Sequence, residues 1–298
     1  MKALVTGASG FVGHAVCAEL IANGHSAVAL VRRPGSEPAG TEPVAGNLGD
    51  EQALAEIVTR TEPDWVIHLA AEIATQRDEA KLREVNVEGT RRLLAACRGR
   101  PGVRFVFFST VVTGDAGGAV LDEDTRLPVQ TAYGRSKQDG ERLVGGSGLD
   151  AVILRPSHVY GAGGWYAEQI VKRLRQPGRL VVVGHGENWW DVVRVEDVAS
   201  ACVLAAEQAP AGALYHVADD RPIRYREFAG LTASALGVNA PRSVPVWLAA
   251  LITGRDPVAA VIRSARSSNQ RIKAQLGWAP RFPSAELGVP DAVAQLAD

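Results

Sequence analysis

The chain has 298 residues, with 32 Lys and Arg against 33 Asp and Glu, a formal net charge of −1 with histidines neutral. That balance supplies no polycationic surface for nucleic acid, and 46% hydrophobic against 22% charged residues excludes a disordered chain and leaves enough apolar side chains for a sizeable core in one large or two smaller domains. Cys17, Cys97 and Cys202 lie far apart in apolar helical patterns, which matches neither a disulfide framework nor a metal-ligand spacing. His14, His25, His185 and His216 add no ligand set, so no metal is expected. The first apolar run, Ala3-Leu4-Val5, leaves no room for a secretory signal, and no apolar stretch is long enough to span a bilayer. A cytoplasmic location and no membrane partner are expected.

Short apolar runs alternate with amphipathic stretches through the first half, the pattern of an α/β doubly wound parallel sheet covered by helices on both faces. Strands are predicted at Lys2–Thr6, Ala27–Val31, Trp65–Leu69, Arg104–Ser109 and Ala151–Leu154. Each is continuously apolar, as a strand buried on both faces should be. Helices are predicted at Phe11–Ala22, Glu51–Arg60, Glu79–Ala96 and Ala132–Val144, the last carrying Lys137 and Glu141 on one face. After Pro156 the pattern becomes irregular, with one more β-type run at Leu180–Val183 and a mostly helical last third. The expected organisation is a Rossmann domain over 1–154, to which 180–218 returns, and a smaller substrate lobe built from 155–179 and 219–298.

Thr6-Gly7-Ala8-Ser9-Gly10-Phe11-Val12-Gly13 follows the first strand and opens the first helix. Glycines there permit a tight turn and close backbone approach to a pyrophosphate, and the helix N-terminus offers unpaired N–H donors. In this strand–turn–helix setting the pattern reads as a dinucleotide-binding loop formed by Gly7, Ser9, Gly10, Phe11, Val12 and Gly13. At the end of the second strand the position that would carry a ribose-binding carboxylate is Val31, and Arg32-Arg33 follow. Two guanidinium groups and no carboxylate suit a 2′-phosphate, so NADP is favoured, with NAD still possible. Tyr133 and Lys137 stand one helical turn apart, and a cation beside a phenol whose ordinary pKa is ~10 suits it to proton transfer.

Together with Gly46-Asn47-Leu48, His68-Leu69-Ala70-Ala71, Asn86-Val87-Glu88-Gly89-Thr90, Phe108-Ser109-Thr110, Leu154-Arg155-Pro156-Ser157-His158-Val159-Tyr160-Gly161 and Val195-Glu196-Asp197-Val198-Ala199, these motifs resemble the extended short-chain dehydrogenase/reductase family, the group of NAD-dependent epimerase/dehydratases. The likeness covers nearly the whole chain. It implies that Tyr133 protonates a carbonyl oxygen as hydride arrives, that Lys137 lowers the phenol's pKa and binds the nicotinamide ribose, and that a hydroxyl after the fourth strand named above binds the same oxygen. The register of Arg104–Phe108 puts Thr110 there, whereas counting back from Gly114 favours Ser109; Thr110 is preferred and Ser109 stays open. The resemblance also places Asn47 and Leu48 at the adenine, Leu69, Ala70 and Ala71 along the cofactor, and Pro156 and His158 near the nicotinamide. It further implies a homodimer through helices flanking the central strands.

Two departures from the family pattern bear on the reaction. Val111-Val112 stand where the dehydratases carry an Asp-Glu pair, which argues against elimination. Trp190 stands where nucleotide-sugar epimerases carry a diphosphate-binding Arg, a contact worth roughly 1.5–3 kcal/mol, with Arg194 or Arg263 as possible substitutes. Trp165, Tyr166 and Trp190 are candidate linings of a partly apolar pocket. The expected activity is hydride transfer between NADP(H) and a carbonyl or secondary alcohol of a small organic substrate. The alternatives are a nucleotide-sugar 4-epimerase or 4-ketoreductase and, from another class, a non-catalytic NADP-sensing regulator, against which the intact Tyr133 and Lys137 argue.

Overall fold

The computed structural model describes residues 1–296. In chain order the first half runs β1 (Lys2–Thr6), α1 (Phe11–Ala22), β2 (Ser26–Val31), β3 (Glu42–Ala45), α2 (Glu51–Thr61), β4 (Trp65–His68), α3 (Glu79–Arg83), a π-helical turn (Glu84–Glu88), α4 (Gly89–Arg98), β5 (Arg104–Phe108), β6 (Val120–Leu121), α5 (Ala132–Gly145) and β7 (Asp150–Pro156). The second half continues with β8 (His158–Tyr160), a π-helical segment (Tyr166–Val171), α6 (Lys172–Leu174), β9 (Val182–Val183), β10 (Trp189–Trp190), β11 (Val192–Arg194), α7 (Val195–Gln208), β12 (Leu214–Val217), β13 (Ile223–Arg224), α8 (Tyr225–Ala235), β14 (Ser243–Val244), α9 (Val246–Thr253), α10 (Arg255–Ile262), β15 (Arg266–Ser267), α11 (Gln270–Leu276) and α12 (Ala285–Ala294).

Seven strands form one sheet in the order β12-β7-β5-β4-β1-β2-β3, every neighbouring pair parallel. Alternation along each strand sends successive side chains to opposite faces, and both faces are covered. Ala3 and Val5 join Val106, Phe108 and residues of α1 and α7 in one core cluster. Leu4 joins Phe105, Phe107 and residues of α2, α4 and α5 in the other. A third cluster, built on Tyr160, Tyr166, Phe228, Val289 and their neighbours, is the core of the second lobe.

The helix expected over Glu79–Ala96 is present but widens by one π turn at Glu84–Glu88. The return to the main sheet also differs from the expected 180–218. Val182–Val183 pairs with Ser243–Val244 and Trp189–Trp190 pairs with Ile223–Arg224, so both belong to small sheets of the second lobe. Only Leu214–Val217 joins the seven-stranded sheet, while α7 packs on α1. Ile272, Leu276 and Trp278 come back to the first core from the C-terminal third.

Candidate active site and relatives

The glycine loop is shaped by contacts that only glycine can make. Gly7 has a φ of 70°, a left-handed conformation that costs a residue with a Cβ, and a Cβ there would lie 2.7 Å from the Ala70 nitrogen. At Gly13 a Cβ would stand 2.2 Å from the Gly7 carbonyl oxygen, so the first turn of α1 rides directly on the loop. Gly10 caps α1 without a side chain, and the first turn carries no acidic residue, leaving the positive end of the helix for an anion. Phe11 lies against Gly161, Gly163 and Gly164. Arg32 and Arg33 are exposed just past buried Val31, and neither has an ion pair among the described residues. Asn47 accepts a hydrogen bond from the Gly49 N–H at 2.7 Å, forming a small turn. Ser9 is exposed, Val12 is half-buried, and Leu48, Leu69 and Ala71 are partly exposed.

Below the loop a chain of buried hydrogen bonds crosses the carboxyl ends of the strands. Thr6 Oγ1 meets His68 Nδ1 at 2.7 Å and accepts the Ala70 N–H. His68 Nε2 lies 3.0 Å from Thr90 Oγ1, which donates to the Asn86 carbonyl. Asn86, in the π turn, donates to Ser136 Oγ at 2.9 Å and brackets Glu72 through that residue's N–H and carbonyl. Ser136 Oγ donates to the Tyr133 carbonyl. The wide turn thus turns Asn86 toward α5, a placement of functional groups for which π turns are often used.

Burial, with the Lys137 charge adding to it, pushes the His68 imidazole down to about 3, so it is neutral in the folded chain. The unfolded imidazole protonates near ~6.5. The stability His68 contributes is therefore complete above that pH and is lost as pH falls through the window toward 3. Between pH ~7 and pH ~5 the His68 share of the loss is about 2 kcal/mol, and denaturant titrations at the two pH values should show the wild type losing that much more stability than His68→Gln, in which the buried His158 and His216 still titrate.

Tyr133 and Lys137 lie on α5, whose N-cap Thr131 accepts the Gly134 N–H at 2.9 Å. Lys137 is buried, with its ammonium 4.5 Å from the Phe107 ring centroid. Burial pushes the Tyr133 phenol up to about 12 and Lys137 down to about 8, with Glu141 opposing the latter shift. Desolvation is the largest cause of both shifts. Glu141 is held by Arg155 through two bonds of 2.8 and 2.6 Å, which ties α5 to β7.

After β5, Thr110 Oγ1 donates to the Pro156 carbonyl at 3.2 Å and accepts the Val112 N–H at 2.9 Å. Ser109 Oγ is buried with no hydrogen-bond partner among the described residues, and the Ser109 N–H still bonds to Leu154 on β7 at 2.7 Å.

The aromatic candidates divide. Trp190 is buried and stacks on His158 with ring centroids 3.9 Å apart, and Trp165 is partly buried with its indole N–H on the Val159 carbonyl. Tyr166, expected to line a pocket, instead lies wholly inside the second core, with its hydroxyl 3.1 Å from Thr232 Oγ1. Arg194 is also corrected: its guanidinium is fully buried and held by Glu196, Asp291 and the Gly288 carbonyl, which leaves it no free edge for substrate. The Asn86-Val87-Glu88-Gly89-Thr90 motif marks the family resemblance without revealing the buried hydrogen bonds of Asn86 and Thr90, and Arg263 reads from the sequence only as a stand-in cation. Arg263 comes from the far side of the second lobe to lie 2.9 Å from His158 Nε2, a meeting that no spacing encodes.

The sequence profile of the NAD dependent epimerase/dehydratase family matches residues 3–218. The chain is 32% identical over 297 residues to a 3-diazoavenalumate denitrifying reductase of Streptomyces sp, covering 95% of this chain and 97% of that protein. It is 33% identical over 264 residues to a 2-alkyl-3-oxoalkanoate reductase of Stenotrophomonas maltophilia (strain K279a), covering 81% and 77%. The fold superposes on the UDP-glucose 4-epimerase of Thermus thermophilus, solved in complex with NAD, with a TM-score of 0.84 at 26% identity, covering 100% of this chain and 99% of that one. Glycine loop, seven-stranded parallel sheet and matched profile agree, and the chain belongs to the NAD-dependent epimerase/dehydratase family of extended short-chain dehydrogenases/reductases.

Proposed function

We propose that the chain is an NADP(H)-dependent reductase or dehydrogenase acting on a carbonyl or secondary alcohol of a small organic molecule. The observation that carries the hydride-transfer chemistry is the side of the sheet on which Ser109 falls. Phe107 faces α5, since a Cβ on Gly140 would touch its ring at 2.6 Å and Lys137 lies over it. Ser109 continues the same ladder two residues on, and so shares that face. Thr110 has the parity of Phe108, which packs with α1 and α7, and its hydroxyl is engaged with Pro156. Ser109 is therefore the better hydroxyl to share a carbonyl oxygen with Tyr133.

The loop fits a dinucleotide, because its glycines hold the backbone where side chains would block approach and α1 starts uncapped. When bound, NADP(H) supplies or accepts the hydride. The N–H groups of Ser9, Phe11, Val12 and Gly13 would face the pyrophosphate, that of Gly10 being held by the Gly7 carbonyl, Arg32 and Arg33 the 2′-phosphate, Asn47 and Leu48 the adenine, and Leu69, Ala70 and Ala71 the adjoining ribose. Tyr133 and Lys137 would hold the second ribose, with Pro156 and His158 near the nicotinamide. A phenol pushed up to about 12 keeps its proton at neutral pH and can donate it to a carbonyl oxygen that Ser109 also bonds. Lys137, at about 8, is still mostly an ammonium at neutral pH and stabilises the phenolate left behind. The residues that follow Ser109, Thr110-Val111-Val112, supply no acid–base pair for elimination.

Both reductases compared above are named for substrates that carry a carboxylate, an avenalumate and an oxoalkanoate, which supports a small acid over a sugar nucleotide. The likeness to a UDP-glucose 4-epimerase favours a second reading, in which one carbon is oxidised and reduced again. NADPH consumption against a panel of ketones, keto acids and nucleotide-linked keto sugars separates the two, since an epimerase consumes none. Consumption is expected with the small ketones and keto acids. Tight NADPH binding without consumption across the panel would overturn the reductase reading. Arg32→Ala should weaken NADPH by at least ~10-fold through a lost charge-assisted pair while leaving NADH within about twofold. Equal losses in a fluorescence titration would remove Arg32 from the 2′-phosphate.

A further inference from the structure

The second lobe brings a cation to the carboxyl ends of the strands. Arg263 follows α10 and reaches back over β8. His158 fixes it there: its Nδ1 lies 2.7 Å from the Asp191 carbonyl, which requires an N–H at that nitrogen, so Nε2 accepts the Arg263 Nη2–H at 2.9 Å. The imidazole is thus neutral and acts as an acceptor. Trp190 stacks flat beneath the imidazole at 3.9 Å and 16°, with the guanidinium carbon 5.7 Å from its ring centroid. Tyr225 and Trp165 set their rings edge-on to this pair. The other arm of the guanidinium, Nη1, is buried and makes no hydrogen bond among the described residues. A buried donor on a charged group without a partner is costly, and here it belongs to a cation whose second arm is held rigidly.

We infer that Arg263, steered by His158 and Trp190, is the residue that selects a substrate bearing a carboxylate, which its free Nη1 edge grips while the aromatic rings hold the apolar body. This assignment rests on the proposed oxidoreductase site and names the class of molecule it takes. The location fits that role: His158 is two residues past Pro156, whose carbonyl receives the Thr110 hydroxyl, so the cation stands near the carboxyl end of β5, where Ser109 and Thr110 lie. The charge count favours a monoanion over a diphosphate. Asp191 and Asp115 both lie close enough to act on Arg263. The other nearby guanidinium groups are committed, Arg266 to the Gly118 carbonyl and Arg224 to the Glu187 carbonyl and the Trp189 ring. One cation flanked by acids cannot neutralise two or three phosphate charges.

Calorimetry on the NADPH-loaded protein with 3-oxooctanoate, its methyl ester and uridine diphosphate as probes tests this directly. The wild type is expected to bind the acid at least tenfold more tightly than the ester. That preference should collapse in Arg263→Gln and be retained in part by Arg263→Lys, with NADPH affinity and melting temperature reporting that both variants are folded. Equal binding of acid and ester by the wild type overturns the assignment, as does a preference that survives Arg263→Gln. Uridine diphosphate bound more tightly than the acid, and weakened by Arg263→Gln, overturns it in favour of a sugar nucleotide. An acid preference that depends on Arg263 in a protein that consumes no NADPH would instead uphold the carboxylate site and count against the reductase reading.

Discussion

Tyr133→Phe should lower kcat by at least ~10²-fold, the usual scale of lost acid–base catalysis, with NADPH affinity changed little. The substitution removes one oxygen and leaves the ring. The backbone of Tyr133 remains anchored, because its carbonyl receives the Ser136 hydroxyl and that hydroxyl receives Asn86. The variant should therefore fold, bind cofactor and fail at proton delivery. Ser109→Ala should fall by a similar order and Thr110→Val by much less, since the Thr110 hydroxyl serves Pro156 and Val112. The reverse order in single-turnover measurements would hand the role to Thr110, and undiminished turnover by Tyr133→Phe would remove the phenol from the chemistry.

A second large effect is expected from one added methyl group. Gly13→Ala would set a Cβ 2.2 Å from the Gly7 carbonyl and 2.5 Å from that of Ala8, so α1 must back away from the loop. Overpacking of this kind costs roughly 1–3 kcal/mol. Moving the helix start away also removes charge-assisted hydrogen bonds to the pyrophosphate, each worth about 1.5–3 kcal/mol. The expected result is at least a ~10²-fold loss in NADPH affinity with a lowered melting temperature. Gly145→Ala meets nothing within 4 Å and serves as the control, expected to leave both unchanged. NADPH binding by Gly13→Ala at wild-type affinity would mean that the loop does not hold the pyrophosphate.

The strands that sequence periodicity locates are those buried on both faces. Lys2–Thr6 and Arg104–Phe108 are continuous apolar runs because neither side meets water. Glu42–Ala45 escapes because it is an edge strand in which only Val44 is buried, and Pro43 is tolerated there for that reason. Leu214–Val217 is short and contains His216, buried by its place beside β7 and not by its chemistry. The glycine loop and the Tyr–Lys pair are legible since each lies within one local element. What stays hidden is long-range. Whether Ser109 or Thr110 faces α5 depends on the ladder with β7, and Arg194 reads as a free cation until α12 brings Asp291 to it.

The chain crosses between the two lobes repeatedly: β12 completes the main sheet after β9 and β10 have paired in the second lobe, and α11 returns to the first core. Neither lobe is a contiguous module. Splicing a foreign C-terminal segment onto this nucleotide-binding half would remove an edge strand and the Ile272, Leu276 and Trp278 packing along with the pocket. Chimeras joined near residue 155 should be insoluble, whereas single substitutions at the partly buried Trp165 and Arg263 should be tolerated. New specificities on this scaffold are therefore reached by local substitution and not by recombination of whole lobes.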